Sequence, residues 1–273
     1  MKKVVLITGA SAGMGKETAK LLAQSGYTVY GAARRMDRMK ELASLGVRLL
    51  LMDVTREETM VAGVGQVLQE EGRIDVLINN AGFGSYGAVE DVSLADARYQ
   101  LEVNLFGAAR LIQLVLPGMR VQRYGKILNV SSIGGKMATP FGGWYHASKF
   151  ALEGLSNSLR NEVRPFGIDV IVIEPGGVKT EWGQIAYSNL VKNTQHSAYK
   201  STIDKFARSL EGADAKSAAP VVIAALMKQA IEAPRPKARY VGGYMARTAV
   251  TAARLLPDRI MDRMIMKRLE KGF

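Results

Sequence analysis

The 273-residue sequence contains no cysteine and only two histidines, His146 and His196. The first absence removes a disulfide framework, a thiolate nucleophile and any Cys-ligated metal. The second leaves too few imidazoles for a His-rich metal site, and no metal is expected. No apolar run reaches the roughly 18 residues of a membrane-spanning helix. The opening Met1-Lys2-Lys3 passes straight into a short strand-like stretch, which is not the pattern of a cleavable leader. A cytoplasmic protein is the default expectation. Acidic residues are also scarce: 25 Asp and Glu stand against 37 Lys and Arg, for a formal charge of +12. Much of the excess lies late, with 16 basic and 7 acidic residues from Lys192 to Phe273. There the basic residues alternate with apolar ones at helical spacing and are not grouped with the stacking aromatics of a single-strand nucleic-acid groove. The charge therefore reads as solubility and a general attraction for anions, with no nucleic-acid partner expected.

What the chain does have is a regular alternation of strand and helix patterns. Val4 to Ile7 is a continuous apolar run, the mark of a strand buried on both faces. Further strands are expected at Tyr27–Ala33, Val47–Met52, Ile74–Ile78, Lys126–Val130 and Ile168–Ile173, with a short seventh at Arg239–Val241. Helical stretches separate them, among them one ending at Ser25-Gly26, one over Asp37–Leu45 and one from about Leu94 to Arg123. Pro117 is expected to kink or end the last of these. Such alternation implies parallel pairing through right-handed crossovers. The expected fold is an α/β doubly wound Rossmann-type sheet of about seven mostly parallel strands, in one domain over residues 1–273. Residues 181–215 break the alternation and read as a substrate lid. Residues 244–273 form an amphipathic extension that Pro257 divides into two helical pieces.

In such sheets ligands bind beyond the carboxyl ends of the strands. Gly9, Arg34, Asp53, Asn80, Ser132 and Pro175 all follow expected strands. Thr8-Gly9-Ala10-Ser11-Ala12-Gly13-Met14-Gly15 is a strand-loop-helix junction whose glycines at 9, 13 and 15 permit close approach of backbone to a pyrophosphate. The spacing differs from the common G-x-G-x-x-G fingerprint. An NAD site places a carboxylate at the end of the second strand to bind a ribose hydroxyl. Here the sequence is Ala33-Arg34-Arg35. Guanidinium groups match a phosphate, so the cofactor is read as NADP(H). Asp53 can accept from the adenine amino group, or serve near the start of the next helix, where Thr55 competes.

Tyr145 and Lys149 lie four residues apart, about one helical turn, with Ser132 thirteen residues upstream. A phenol has an ordinary pKa of about 10, and a nearby lysine cation favours its phenolate. A serine hydroxyl within reach could hold a substrate oxygen against the phenol. This equipment moves a proton to or from an alcohol or carbonyl oxygen.

With these residues in place, the chain resembles the single-domain short-chain dehydrogenases/reductases, densely over residues 3–180. The motifs match in order: the loop at 8–15, Asn79-Asn80-Ala81-Gly82, Asn104, Ser132, the Tyr145/Lys149 pair and Pro175-Gly176-Gly177-Val178-Lys179-Thr180. Met14 stands where the family often has Ile. The resemblance implies that Asp53 and Val54 border the adenine and that Asn80, Ala81 and Gly82 border its ribose. It implies that Asn104 holds a water linking Lys149 to solvent, that Ser132 binds the substrate oxygen and that Tyr145 exchanges its proton. Lys149 would hold the nicotinamide ribose and lower the Tyr145 pKa, while Pro175, Gly176, Val178 and Thr180 would line the nicotinamide. It also implies a homodimer or homotetramer.

The substrate is read as a small molecule. Phe83, Ser85, Tyr86, Trp144, Trp182, Tyr187, Tyr199 and Phe206 either line its pocket or pack the lid. If they line a pocket, it takes an apolar steroid-, retinoid- or lipid-like ketone or aldehyde. The basic tail, which resembles that of hydroxysteroid-dehydrogenase-like members, can close the pocket, join subunits or rest on an anionic membrane, the first two being preferred. Two alternatives remain, a 3-oxoacyl-thioester reductase of the same fold and a non-enzymatic NADPH-binding sensor.

Overall fold

The computed structural model describes residues 2–194 and 197–271, with side chains at all of these except 209–214 and 270–271. His196 lies outside the described residues. The strands are β1 (Val4–Thr8), β2 (Thr28–Ala33), β3 (Arg48–Leu51), β4 (Val76–Asn79), β5 (Gly125–Val130), β6 (Ile168–Pro175) and β7 (Arg239–Gly242). They form one sheet in the order β3-β2-β1-β4-β5-β6-β7, with every pair parallel. Between them run α1 (Gly13–Gln24), α2 (Lys40–Ser44), α3 (Glu57–Glu71), α4 (Leu94–Leu101), α5 (Gly107–Gln122) and α6 (Gly143–Val163). After β6 come α7 (Glu181–Asn193), α8 (Lys200–Ala215) and α9 (Pro220–Glu232), and after β7 come α10 (Ala246–Leu255) and α11 (Asp258–Lys271).

The two-residue period of a strand sends alternate side chains to opposite faces. Val5 and Ile7 pack with Ala19 and Leu22 of α1 and with Ile223, Met227 and Ala230 of α9. Val4 and Leu6 join Val64 and Val67 of α3, Leu111 and Val115 of α5, and Leu159 and Val163 of α6. This two-sided burial is why β1 reads as an unbroken apolar run. Each enclosed Leu or Ile contributes about 1.5–3 kcal/mol relative to exposure. The chain order reverses between β1 and β4, and that switch point places a crevice at the carboxyl ends of the central strands.

The stretch from Leu94 to Arg123 departs from the expected single helix. It is interrupted by a π-helical turn over Glu102–Phe106, one residue wider than the α-helix around it. Pro117 lies inside α5 and does not end it. The carbonyl that loses its donor is that of Gln113, and both residues are solvent-exposed, so water can satisfy it.

Two buried polar clusters tie the late elements to the sheet. The Lys126 ammonium donates to the carbonyls of Ala230 (3.3 Å), Ile231 (2.7 Å) and Ala233 (2.6 Å), closing the carboxyl end of α9. Glu153 of α6 and Glu174 of β6 share two cations. Lys136 lies 2.7 and 3.7 Å from them, and Arg239 of β7 lies 3.1 and 3.0 Å away. Burial pushes the Glu174 carboxyl up, with the adjacent Glu153 charge adding to the effect.

Candidate active site

A cleft of about 350 Å³ opens at the switch point. Its floor is the β1–α1 loop, where Gly9 (φ +69°) and Gly13 (φ +54°) adopt the left-handed conformation that disfavours other residues. A Cβ on Gly9 would also meet the Asn80 amide at 2.8 Å. The helix that follows begins at Ala12 without a side-chain cap and without an acidic residue in its first turn. Its free N–H groups and positive dipole end suit a diphosphate. Asn80 ties β4 to β1 by donating to the Thr8 carbonyl at 3.0 Å, and its buried Oδ1 has no partner among the described residues. These features fit a dinucleotide.

The cleft wall at the end of β2 carries Arg34 and Arg35. Arg34 donates to the Tyr99 hydroxyl at 2.9 Å and stands 3.8 Å from Asp53. Arg35 donates to the Ser11 hydroxyl at 3.3 Å and pairs with Glu181, also at 3.3 Å. Arg38 holds the same Glu181 at 2.7 Å. A guanidinium next to a serine hydroxyl is a phosphate-binding combination. Asp53 lines the cleft, but its Oδ1 accepts from the Thr55 backbone (3.0 Å) and hydroxyl (2.8 Å) and does not cap α3, whose N-cap is Arg56.

The second half of the site is built on α6. Tyr145 and Lys149 lie on one face of that helix, both buried. The Ser132 hydroxyl, at the end of β5, faces the Tyr145 phenol closely enough to influence its charge, donates to the Pro175 carbonyl at 3.5 Å and accepts from the Gly134 backbone at 3.0 Å. His146 fixes this loop to α6, with Nδ1 2.9 Å from the Gly134 carbonyl and Nε2 accepting from the Thr139 backbone at 3.0 Å. Burial lowers the His146 pKa, which favours the neutral ring these bonds require. The Lys149 ammonium donates to the Val130 carbonyl at 2.9 Å and lies 6.0 Å from the Tyr145 ring centre. Asn104, in the π-helical turn, donates to the Phe83 carbonyl (2.9 Å) and the Ser148 hydroxyl (3.0 Å). Its Oδ1 accepts from the Phe83 backbone at 3.0 Å and keeps one acceptor site for a water.

The electrostatics differ from the sequence expectation in one respect. Burial pushes the Tyr145 phenol up to about 12, opposed only in part by the Ser132 hydrogen bond. Burial likewise brings Lys149 down to about 8, with the Glu153 charge working against it. Lys149 therefore does not lower the phenol here. Its ammonium is directed at the Val130 carbonyl, and enclosure outweighs the attraction.

The cleft receives Gly9, Ser11, Gly13, Met14, Arg34, Arg35, Asp53, Val54, Asn80, Ala81, Gly82 and Thr180 of the expected cofactor residues. Gly15, Tyr145, Lys149, Pro175, Gly176 and Val178 do not line it. Gly176 instead donates to the Gly242 carbonyl (2.8 Å), extending the β6–β7 pairing, and Thr180 caps α7 by accepting from the Trp182 backbone at 3.3 Å. The cleft stops at Trp182, whose ring lies 5.1 Å from that of Tyr145. Tyr86, Phe141, Phe206 and the aliphatic α11 residues Ile265 and Leu269 complete the apolar cover. Tyr99, Arg38, Glu181 and His146 were not singled out from sequence. Glu181 alone carried a signal, an acid directly after Thr180 in a basic chain.

The pattern of the family described as short chain dehydrogenase matches residues 3–190. A 3-ketodihydrosphingosine reductase from Bacteroides thetaiotaomicron is 46% identical over 179 residues, an alignment spanning 65% of each chain. An NADPH-dependent 3-dehydrocapnine reductase from Ornithobacterium rhinotracheale is 32% identical and aligned over 98% of both chains. A short-chain dehydrogenase from Streptomyces avermitilis superposes with a TM-score of 0.81 at 30% identity, covering 99% of this chain and 96% of that one. The fold, the ordered motifs and the family match together establish that the chain belongs to the short-chain dehydrogenase/reductase family of oxidoreductases.

Proposed function

We propose that the protein is an NADP(H)-dependent reductase of an apolar, lipid-like ketone. The observation that carries the reading is the gathering of Ser132, Tyr145 and Lys149, enclosed by aromatic rings and adjoining an arginine-walled cleft. The coenzyme, when bound, supplies the hydride to the carbonyl carbon. Arg34, Arg35 and Ser11 would hold its 2′-phosphate, the first turn of α1 its diphosphate, and Lys149 the nicotinamide ribose. Ser132 and Tyr145 donate to the carbonyl oxygen as negative charge grows there, which stabilises the transition state more than the ground state. Tyr145 then gives up its proton. A phenol held near 12 is fully protonated at neutral pH, which favours the reductive direction. Lys149 and a water at Asn104 return the proton.

Two relatives whose names denote reductases of 3-keto or 3-dehydro compounds, one of them NADPH-dependent, support the substrate class and coenzyme. The test is a panel of long-chain and cyclic ketones assayed with NADPH and NADH in parallel, with Tyr145→Phe as the control. NADPH preference, long-chain ketone turnover and a Phe variant that binds NADPH but turns over at least about 100-fold more slowly are expected. Equal use of NADH would refute the arginine assignment, and near-normal reduction by the variant would refute the role of Tyr145.

A further inference from the structure

The amino end of α7 stands between the two halves of the site. Its first residue, Glu181, holds Arg35 and Arg38 on the coenzyme side. Its second, Trp182, covers the chemistry, with its ring 5.1 Å from that of Tyr145 and edge-on to Tyr86 at 5.9 Å. Packing here is close on both sides. A Cβ on Gly84 would meet the Trp182 ring at 2.6 Å, and one on Gly13 would meet the Thr180 methyl at 3.0 Å. Tyr145 is only 7% exposed beneath this cover. A substrate carbonyl reaches the phenol only after Trp182 moves.

The restraint on Trp182 is one that a phosphate can undo. Glu181, 46% exposed, pairs with Arg35 and Arg38, 42% and 45% exposed, and ion pairs this open to water are weak. Arg35 also reaches Ser11, so the guanidinium already spans the place proposed for the 2′-phosphate. A phosphate there presents more negative charge and more acceptors than one carboxylate, and the two anions repel each other.

We propose that Glu181 is a coenzyme-sensing residue. Its carboxylate and the coenzyme 2′-phosphate compete for Arg35 and for Arg38, which holds the same carboxylate at 2.7 Å, and the exchange frees the amino end of α7 so that Trp182 leaves Tyr145. A coenzyme lacking the 2′-phosphate leaves the cover in place. Glu181 thereby adds discrimination between coenzymes beyond the arginines themselves. The inference rests on the NADP(H) reading above.

Adenosine 2′,5′-bisphosphate and adenosine 5′-diphosphate separate the two ideas, because both carry adenine and neither carries nicotinamide. The chain has two tryptophans, so Trp144→Phe leaves Trp182 as the fluorescent reporter. Fluorotryptophan labelling of the unsubstituted chain gives the same reading by ¹⁹F resonance should that variant fold poorly. The bisphosphate is expected to red-shift Trp182 and make it quenchable by iodide, while saturating 5′-diphosphate leaves it unchanged. Glu181→Gln should show the shifted signal without ligand and bind the bisphosphate about two- to fivefold more tightly, the fold-change equivalent of the exposed ion pair. Tight bisphosphate binding with an unmoved Trp182, or unchanged affinity in Glu181→Gln, overturns the sensing role and leaves the coenzyme reading intact. Equal or weaker binding of the bisphosphate than of the 5′-diphosphate overturns both.

Discussion

Lys149→Met should make the protein more stable while abolishing turnover. The ordinary lysine pKa of 10.5 falls to about 8 on enclosure, and that fall corresponds to about 3 kcal/mol of penalty on the charged form at neutral pH. Methionine keeps the length of the stem and removes the charge. It also leaves the Val130 carbonyl without the 2.9 Å donor, which costs about 1–2 kcal/mol. The balance is a gain of about 1–2 kcal/mol at pH 7. The pH dependence has a defined sign. Because the folded pKa is depressed, the unfolded chain binds the proton more tightly, and wild-type stability rises as pH climbs from about 8 to 10.5. The variant's advantage is therefore full below pH 8, shrinks through that window and reverses above it, where only the lost hydrogen bond remains. Urea unfolding of both proteins at pH 7, 9 and 10.5 measures the difference, in which other titrating groups largely cancel. A variant less stable than wild type at pH 7, or a difference that does not vary with pH, would refute the reasoning.

Lys126→Met strips three backbone carbonyls at the end of α9 of their shared donor and should cost about 2–4 kcal/mol in urea unfolding; a loss under about 0.5 kcal/mol would mean that water replaces the ammonium. In the alcohol-oxidising direction, a phenol held near 12 must first ionise, so kcat/KM for oxidation should climb about tenfold per pH unit from 7 to 9. A flat oxidative profile would show that the phenolate is already formed at neutral pH.

Much of the framework could be read from the chain because the signals are local. Strands buried on both faces leave apolar runs, and the structure places all seven within two residues of their expected limits. The glycines at 9 and 13 announce a backbone that only glycine adopts readily, and the four-residue step from Tyr145 to Lys149 is one turn of α6. What stayed hidden depends on contacts across the fold. The π-helical turn at Asn104 has no propensity signature; it arises where Gly107 packs onto the Val54 carbonyl with no space for a side chain. Pro117 misleads because a helix tolerates proline when the orphaned carbonyl faces water. The direction of the Tyr145 pKa could not be had from spacing, since it follows from the depth of enclosure beneath Trp182, Tyr86 and α11. The pairing of Glu181 with Arg35 and Arg38 joins residues about 145 positions apart, and neither segment by itself names its partner in the other.

The four-charge cluster of Lys136, Glu153, Glu174 and Arg239 has a mechanical corollary. Glu153 stands one turn beyond Lys149, so the last strand is riveted to the helix that bears Tyr145 and Lys149. A truncation beginning near residue 236 would strip a counter-charge from two enclosed carboxylates and push them apart. The C-terminal seventh of the chain is in this sense part of the foundation under Tyr145, and losing Arg239 is felt there through α6 as well as through the α11 cover.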